Sequence, residues 1–303
     1  MELFSASNIV KRYANHTALN EVSIAVRKQS VFGLLGPNGA GKTSLIRIMN
    51  QITGPDSGSL LFNGEKLSPK HISQIGYLPE ERGLYKKMQV GEHALYLAQL
   101  KGMKRTEAIQ KLKIWFDKFE IGGWWNKKVE ELSKGMQQKV QFIVTVLHEP
   151  LLLILDEPFS GFDPINANSV KNELLRLKEA GSTIILSTHD MESVEELCDD
   201  IALLNKSKKI LEGAVTDIRK TFRSNTYELE FAGTMLGFTN AMGGCAQLLD
   251  QQQEGELLKV RIRLIGKASV NDVLESVIRV CQVNGVREII PTVREIFISK
   301  VNE

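Results

Sequence analysis

Val31-Phe32-Gly33-Leu34-Leu35-Gly36-Pro37-Asn38-Gly39-Ala40-Gly41-Lys42-Thr43 is the stretch that decides the fold of this 303-residue chain. Its first five residues form an apolar run of the kind that becomes a buried strand. Gly36 to Thr43 then match G-x-x-x-x-G-K-[ST], and Ser44 to Met49 continue with helical character. Strand, glycine loop and helix is the context in which that spacing cradles phosphate. The glycines let backbone N–H groups converge on phosphate oxygens without a Cβ in the way. The helix that follows points its positive end at the same place. Lys42 is expected to reach the β- and γ-phosphates of a nucleotide, and the Thr43 hydroxyl to ligate Mg²⁺. Gly36, Pro37, Asn38, Gly39, Ala40, Gly41, Lys42, Thr43 and Ser44 are therefore candidate nucleotide-binding residues.

Two further apolar runs end on polar side chains. Leu151 to Leu155 leads into Asp156-Glu157, and Thr183 to Leu186 leads into Ser187-Thr188-His189. Such runs, alternating with helical segments, indicate an α/β fold with a mostly parallel sheet covered on both faces. Functional residues at the carboxyl ends of its strands fit the general behaviour of open α/β sheets. The acidic pair is expected at a strand end beside the glycine loop. Asp156 would hold Mg²⁺ directly or through water, since hard carboxylate oxygens suit that ion. Glu157 would polarise an attacking water as general base. An exposed acidic turn before Pro158 is the competing reading, and the continuation Phe159-Ser160-Gly161-Phe162-Asp163-Pro164 argues against it.

Elsewhere the pattern is coarser. Leu3 to Val26 suggests antiparallel strands with a turn near Asn15–His16. From Val90 to Phe119 apolar residues recur at helical spacing, as a helical subdomain would require. After about residue 220 the character changes. Leu258, Val260, Ile262 and Leu264 alternate with Lys259, Arg261 and Arg263, the pattern of a half-buried strand. Ser269 with Asp272, and Thr292 with Glu295, have capping-box spacing for two helices, and Val286 to Ile290 reads as another strand. These elements make a small C-terminal α+β appendage. The basic side of its strand reads either as a solvated face or as a binding patch.

Composition narrows the function class. A hydrophobic content of 43%, a charged content of 24% and a net charge of +2 describe an ordinary globular chain with no electrostatic call for nucleic acid. Cys198, Cys245 and Cys281 are far apart and match no zinc spacing, so buried inert thiols are expected. His71, His93 and His148 carry no metal spacing either. The N-terminus lacks the charged and apolar succession of a secretory signal. No run of apolar residues is long enough to span a bilayer, so any membrane span belongs to another chain.

Several shorter motifs now carry a family resemblance. Leu132-Ser133-Lys134-Gly135-Met136 resembles the signature motif of ATP-binding cassette (ABC) proteins. Ser160-Gly161-Phe162-Asp163 resembles their D-loop, and His189 resembles their switch histidine. Tyr13 stands where the family places an aromatic that stacks on adenine. The loop Ile75-Gly76-Tyr77-Leu78-Pro79-Glu80-Glu81-Arg82-Gly83-Leu84-Tyr85 puts Glu80 where the family usually has glutamine. These elements follow the family's order over Met1 to Thr221. Two departures stand out: Lys134 and Met136 replace a glycine and a glutamine of the signature, while Ser133 and Gly135 remain. A carboxylate at Glu80 can coordinate Mg²⁺ or a water, but it adds negative charge beside Glu157. Both departures resemble one branch, the ATP-binding subunits of bacterial ABC-2 type exporters related to sodium or multidrug extrusion.

The resemblance implies a P-loop NTPase cassette over residues 1–220. It would have a RecA-like parallel core sheet, an antiparallel β subdomain and a helical subdomain at about 86–150, with the accessory domain at 221–303. It implies ATP and Mg²⁺ as ligands, with Thr43, Glu80 and Asp156 at the metal and Glu157 and His189 as the catalytic pair. Two cassettes, identical or paralogous, would sandwich two ATP molecules head to tail. Ser133, Gly135 and Asp163 would then complete nucleotide contacts, the signature residues reaching the γ-phosphate across the interface. The partner implied is an integral-membrane permease and not nucleic acid, which places the chain in the cytoplasm, peripheral on the inner face of the cell membrane. The alternative is a soluble ABC ATPase acting on ribosomes or DNA. Against it, the chain has one cassette and lacks sustained heptads between P-loop and signature. A nucleotide-binding switch with little turnover is a third reading, which Glu157 opposes. Trp124-Trp125 reads either as packing or as part of a permease-docking surface.

Overall fold

The computed structural model describes residues 1–81 and 83–303. Arg82, in the loop that carries Glu80, lies outside the described residues. The chain forms two compact units, Met1–Val215 and Thr216–Glu303.

In the first unit, β1 (Glu2–Tyr13) and β2 (His16–Arg27) form a long hairpin, followed by β3 (Val31–Leu35) and α1 (Lys42–Met49). Then come β4 (Ser57–Phe62), β5 (Glu65–Lys66), β6 (Ile75–Leu78), α2 (Val90–Leu100), α3 (Arg105–Lys118) and α4 (Lys134–Val146). The unit ends with β7 (Leu152–Asp156), α5 (Pro164–Glu179), β8 (Thr183–Ser187), α6 (Met191–Leu197), β9 (Asp200–Asn205) and β10 (Lys208–Ala214).

A six-stranded sheet has the order β10-β9-β3-β8-β7-β6, parallel throughout except at β10. Every residue of β3, β7 and β8 is buried. Burial on both faces is why these three strands read as unbroken apolar runs rather than as alternating ones. The strand order modifies one expectation. β8 lies between β3 and β7, so the strand that ends at Ser187 separates the glycine loop from the acidic pair. A second sheet, antiparallel, has the order β2-β1-β4-β5. Its Phe4, Ile24 and Phe62 share one core with Leu34, Ile154 and the α1 residues Leu45 and Met49. The helix behind the glycine loop is thus clamped in apolar packing.

The start of α2 has no side-chain cap. Its first N–H groups instead donate to carbonyls of the segment before the signature, Val90 N to Lys127 O and Gly91 N to Trp125 O, each at 2.9 Å. This satisfies donors that a helix end leaves open. The same docking lays the Trp125 ring on Gly91, where an added Cβ would fall 2.3 Å from a ring carbon. Trp125 also meets Phe116 edge-on, with centroids 5.6 Å apart. Trp125 is therefore a packing residue of the helical subdomain. Gly91→Ala is expected to lower stability by about 1–3 kcal/mol through overpacking, measured as a drop in the denaturation midpoint. An unchanged midpoint would contradict that packing.

The second unit begins within α7 (Val215–Thr221). It runs β11 (Thr226–Ala232), α8 (Met235–Met242), β12 (Ala246–Glu254), β13 (Leu257–Leu264), α9 (Val270–Val277), β14 (Gln282–Ile289) and α10 (Val293–Asn302). The β-α-β-β-α-β succession, with an antiparallel sheet in the order β12-β13-β11-β14, is a ferredoxin-like split βαβ arrangement. Leu229, Phe231, Val260 and Ile262 of the sheet pack with Phe238 and Met242 of α8 and with Val273 and Val277 of α9. On the basic strand, Arg261 and Lys259 approach Glu228 at 3.8 and 3.6 Å, and Arg287 reaches it at 2.9 Å. Part of that face is therefore an internal ion-pair network.

Candidate functional site

The carboxyl ends of β3, β7 and β8 open on a cleft of about 330 Å³. Its wall is formed by Tyr13, His16, Ala18, Asn38, Gly39, Gly41, Lys42, Thr43, Ser44, Glu80, Asp156, Glu157 and His189. Residues from five separate stretches of sequence thus meet around one space.

The glycine loop is shaped from within. The Lys42 ammonium donates to Gly36 O at 2.6 Å and to Pro37 O at 3.2 Å, curling the loop around its own side chain. Burial pulls the Lys42 pKa below its ordinary value, against the opposing pull of Glu157, Asp156 and Glu80. A cation partly stripped of water and hydrogen-bonded to backbone carbonyls is well prepared to take phosphate oxygens.

Asp156 ends a fully buried strand and is itself buried. Burial pushes its carboxyl above the usual range, with Glu80 and Glu157 adding to the push while Ser187 and Lys42 oppose it. Glu157 leaves the strand in the left-handed region, φ 50°, and donates its N–H to Ser187 O at 2.8 Å. Its side chain is gripped twice. Thr188 Oγ1 donates to one carboxylate oxygen at 3.2 Å, and His189 Nδ1 lies 2.8 Å from the other. A carboxylate only accepts, so the imidazole nitrogen facing it is the N–H. The intervening β8 is what makes this contact: it delivers Thr188 and His189 directly beside the end of β7.

The oxygen donors suit Mg²⁺. Thr43, Glu80 and Asp156 offer a hydroxyl and two carboxylates, and all three line the cleft. Among the described residues no three His, Cys, Asp or Glu side chains form a closed metal cage. Mg²⁺ generally needs none, since it binds through one or two carboxylates together with substrate phosphates and water.

Three candidates lie elsewhere. Ser133 caps α4, its side chain accepting from Met136 N at 3.3 Å. Asp163 caps α5 by accepting from Asn166 N at 2.9 Å. Gly135 lies against the D-loop-like turn, where an added Cβ would come 3.3 Å from Gly161 O. These residues form a second cluster, tied to the strand-end loop by Gln138 Nε2 donating to Pro158 O at 3.3 Å. None of the three lines the cleft, and of the glycine-loop candidates Gly36, Pro37 and Ala40 are not in its wall either. Conversely, His16, Ala18 and Thr188 belong to the site's surroundings without having been expected there. The register Tyr13 to His16 at the hairpin end brings in the first of them.

Known proteins resemble this chain along much of its length. The family model described as "ABC transporter" matches residues 19–160, and one described as "ATP-binding protein DrrA1-3-like, C-terminal domain" matches residues 213–301. The uncharacterized ABC transporter ATP-binding protein YhaQ of Bacillus subtilis is 44% identical over 220 residues, covering 73% of this chain and 74% of that protein. The linearmycin resistance ATP-binding protein LnrL of the same organism is 31% identical, covering 86% of this chain and 85% of its own. A solved ATP-binding subunit of an ABC transporter superposes with a TM-score of 0.69 at 30% identity, over 73% of this chain and 93% of that one. With a cleft of this composition at the strand ends, the chain belongs to the ABC transporter ATP-binding proteins, a family of ATPases that drive transport.

Proposed function

We propose that this chain is the ATP-hydrolysing subunit of an exporter, paired with a second cassette and driving a separate integral-membrane permease from the cytoplasmic side. The observation that carries this reading is the convergence of Lys42, Thr43, Asp156, Glu157 and His189 on one cleft. The roles follow from that placement. Lys42 and the loop N–H groups bind the β- and γ-phosphates, and Tyr13 takes the adenine. Mg²⁺, held by Thr43 and Asp156 with Glu80 alongside, would supply neutralising charge to the phosphate oxygens. Glu157, oriented by Thr188 and His189, accepts the proton of the attacking water. His189 would hydrogen-bond the γ-phosphate and sense its loss. Ser133, Gly135 and Asp163, remote from their own cleft, serve the cleft of a second cassette.

Export as the direction is supported by the linearmycin resistance relative, which spans both units of this chain. No helix among the described residues is long and apolar enough to cross a membrane, so the pathway would be built by the partner. An apolar groove of about 630 Å³ between β6, α2 and α4 suits that partner, with Ile52, Ile72, Leu84, Leu97, Leu100 and Val144 in its wall. Among the described residues of the wall the one lysine is Lys101, whose ammonium donates to Ile72 O and Ile75 O at 2.9 and 2.7 Å. Burial pushes His148 in the same wall down to about 4, which keeps it neutral. An apolar permease segment would therefore meet mostly uncharged side chains among the described residues of the wall.

Purification from native membranes is expected to recover a multi-span permease with this chain. Leu100, 64% exposed, is a suitable probe of the groove. Leu100→Asp is expected to weaken permease association about tenfold or more while ATP affinity stays unchanged. Recovery of a soluble complex whose RNA or DNA binding falls steeply with salt would instead favour the ribosome or DNA reading.

A further inference from the structure

We propose that His16 is a further nucleotide-binding residue, contacting the junction of ribose and α-phosphate; this rests on the assignment of the cleft to ATP. The β1–β2 hairpin closes with Tyr13 opposite His16. Residues directly opposite in an antiparallel pair project on one face, their Cβ atoms about 4.5–5.5 Å apart. Ala18, two residues along β2, lies on that same face. All three residues line the cleft.

Their order along the wall gives the assignment. At one end stands the Tyr13 ring. It is held in place by Lys11, whose ammonium lies 5.5 Å from the ring centroid. Lys11 is itself pinned by Gly54 O at 2.8 Å and Asp56 at 3.0 Å, and it takes no part in the cleft wall. At the other end Ala18 abuts the glycine loop so closely that a Cβ on Gly41 would fall 2.4 Å from Ala18 O. Base platform and phosphate cradle are thus joined by a short run of β2 with His16 midway. A nucleotide laid along this wall places its sugar and first phosphate at the imidazole. A neutral imidazole offers one donor and one acceptor, which suit a phosphate oxygen and a sugar hydroxyl respectively.

Calorimetric titration of wild type, His16→Ala and His16→Gln with ATP, ADP and inorganic tripolyphosphate, each with Mg²⁺, tests the role. His16→Ala is expected to weaken ATP and ADP alike by about 5–10-fold, the scale of one lost hydrogen bond. Tripolyphosphate binding should stay the same, because it needs only the glycine loop. His16→Gln, which keeps a donor and an acceptor, should recover most of the loss, and in turnover KM for ATP should rise in His16→Ala with kcat constant. Unchanged ATP and ADP affinities in His16→Ala, or a parallel loss for tripolyphosphate, would overturn the inference alone. A wild type that binds no ATP would overturn the assignment of the cleft together with it.

Discussion

Glu157→Gln is expected to cut ATP hydrolysis by about 10²–10⁴-fold while leaving ATP binding intact, the loss typical of removing a general base. The substitution keeps the size of the side chain and one carbonyl oxygen to accept from Thr188. It removes the basicity that would take a proton from water. Nothing about the strand end should change, because the residue is held there through its backbone, with N–H to Ser187 O at 2.8 Å. Phosphate release, assayed with the permease present, is the measurement. The same variant should accumulate as an ATP-bound pair, visible as a shift in hydrodynamic size, if hydrolysis is what separates two cassettes. A Glu157→Gln protein that hydrolyses ATP within a fewfold of wild type would transfer the base to another group. Glu80 would be the first candidate, since it is a carboxylate on the same cleft.

How much of this was legible in the sequence depends on whether the controlling physics is local. The glycine loop is contiguous, so its chemistry could be read directly. β3, β7 and β8 were legible because a strand buried on both faces must be apolar throughout. The caps at Ser269 and Thr292 were legible for the same reason: both ends of each hydrogen bond lie within four residues. Strand order was not. Nothing in Thr183–Ser187 says that it inserts between β3 and β7, yet that insertion brings His189 onto Glu157. His16 was hidden by register, which is set by several irregularities along β1 and β2. β12 was missed because it is an edge strand, largely exposed and rich in glutamine, with little apolar alternation to detect. β11 was missed as well, although the alternation of Tyr227, Leu229 and Phe231 with Glu228 and Glu230 is the signal that would have found it. Only with β11, α8 and β12 in place does the C-terminal unit become a split βαβ fold.

The departures from the family pattern divide in the same way. Glu80 sits in the cleft, where its charge raises the carboxyl of Asp156 and opposes the lowering of Lys42. Its effect is local to one chain. Lys134, exposed and beside Ser133 at the start of α4, lies outside that cleft. Any effect of Lys134 on the nucleotide would run through the second cassette, so it should appear only under conditions that pair the two.

The second large effect concerns the loop itself: Gly36→Ala and Gly41→Ala are expected to abolish measurable ATP binding and to destabilise the first unit by roughly 2–5 kcal/mol. Both glycines have backbone angles that side chains rarely adopt, φ 149° and 110°. At both, an added Cβ would come 2.4 Å from a backbone carbonyl oxygen, of Leu204 and of Ala18 respectively. Those carbonyls belong to β9 and β2 and cannot rotate aside as a side chain would. Relief could come only by moving the loop, and that would break the Lys42 contacts to Gly36 O and Pro37 O that hold its curvature. Gly39 provides the control within the same loop. Its φ of 80° is also left-handed, but nothing lies within 4 Å of an added Cβ. Gly39→Ala should therefore pay only the backbone term, about 1–2 kcal/mol, and remain folded. Thermal denaturation of the three variants, read beside ATP titration, separates steric exclusion from backbone strain. Equal destabilisation at all three positions would mean that strain alone governs the loop, and that its close approach to β2 and β9 carries no weight.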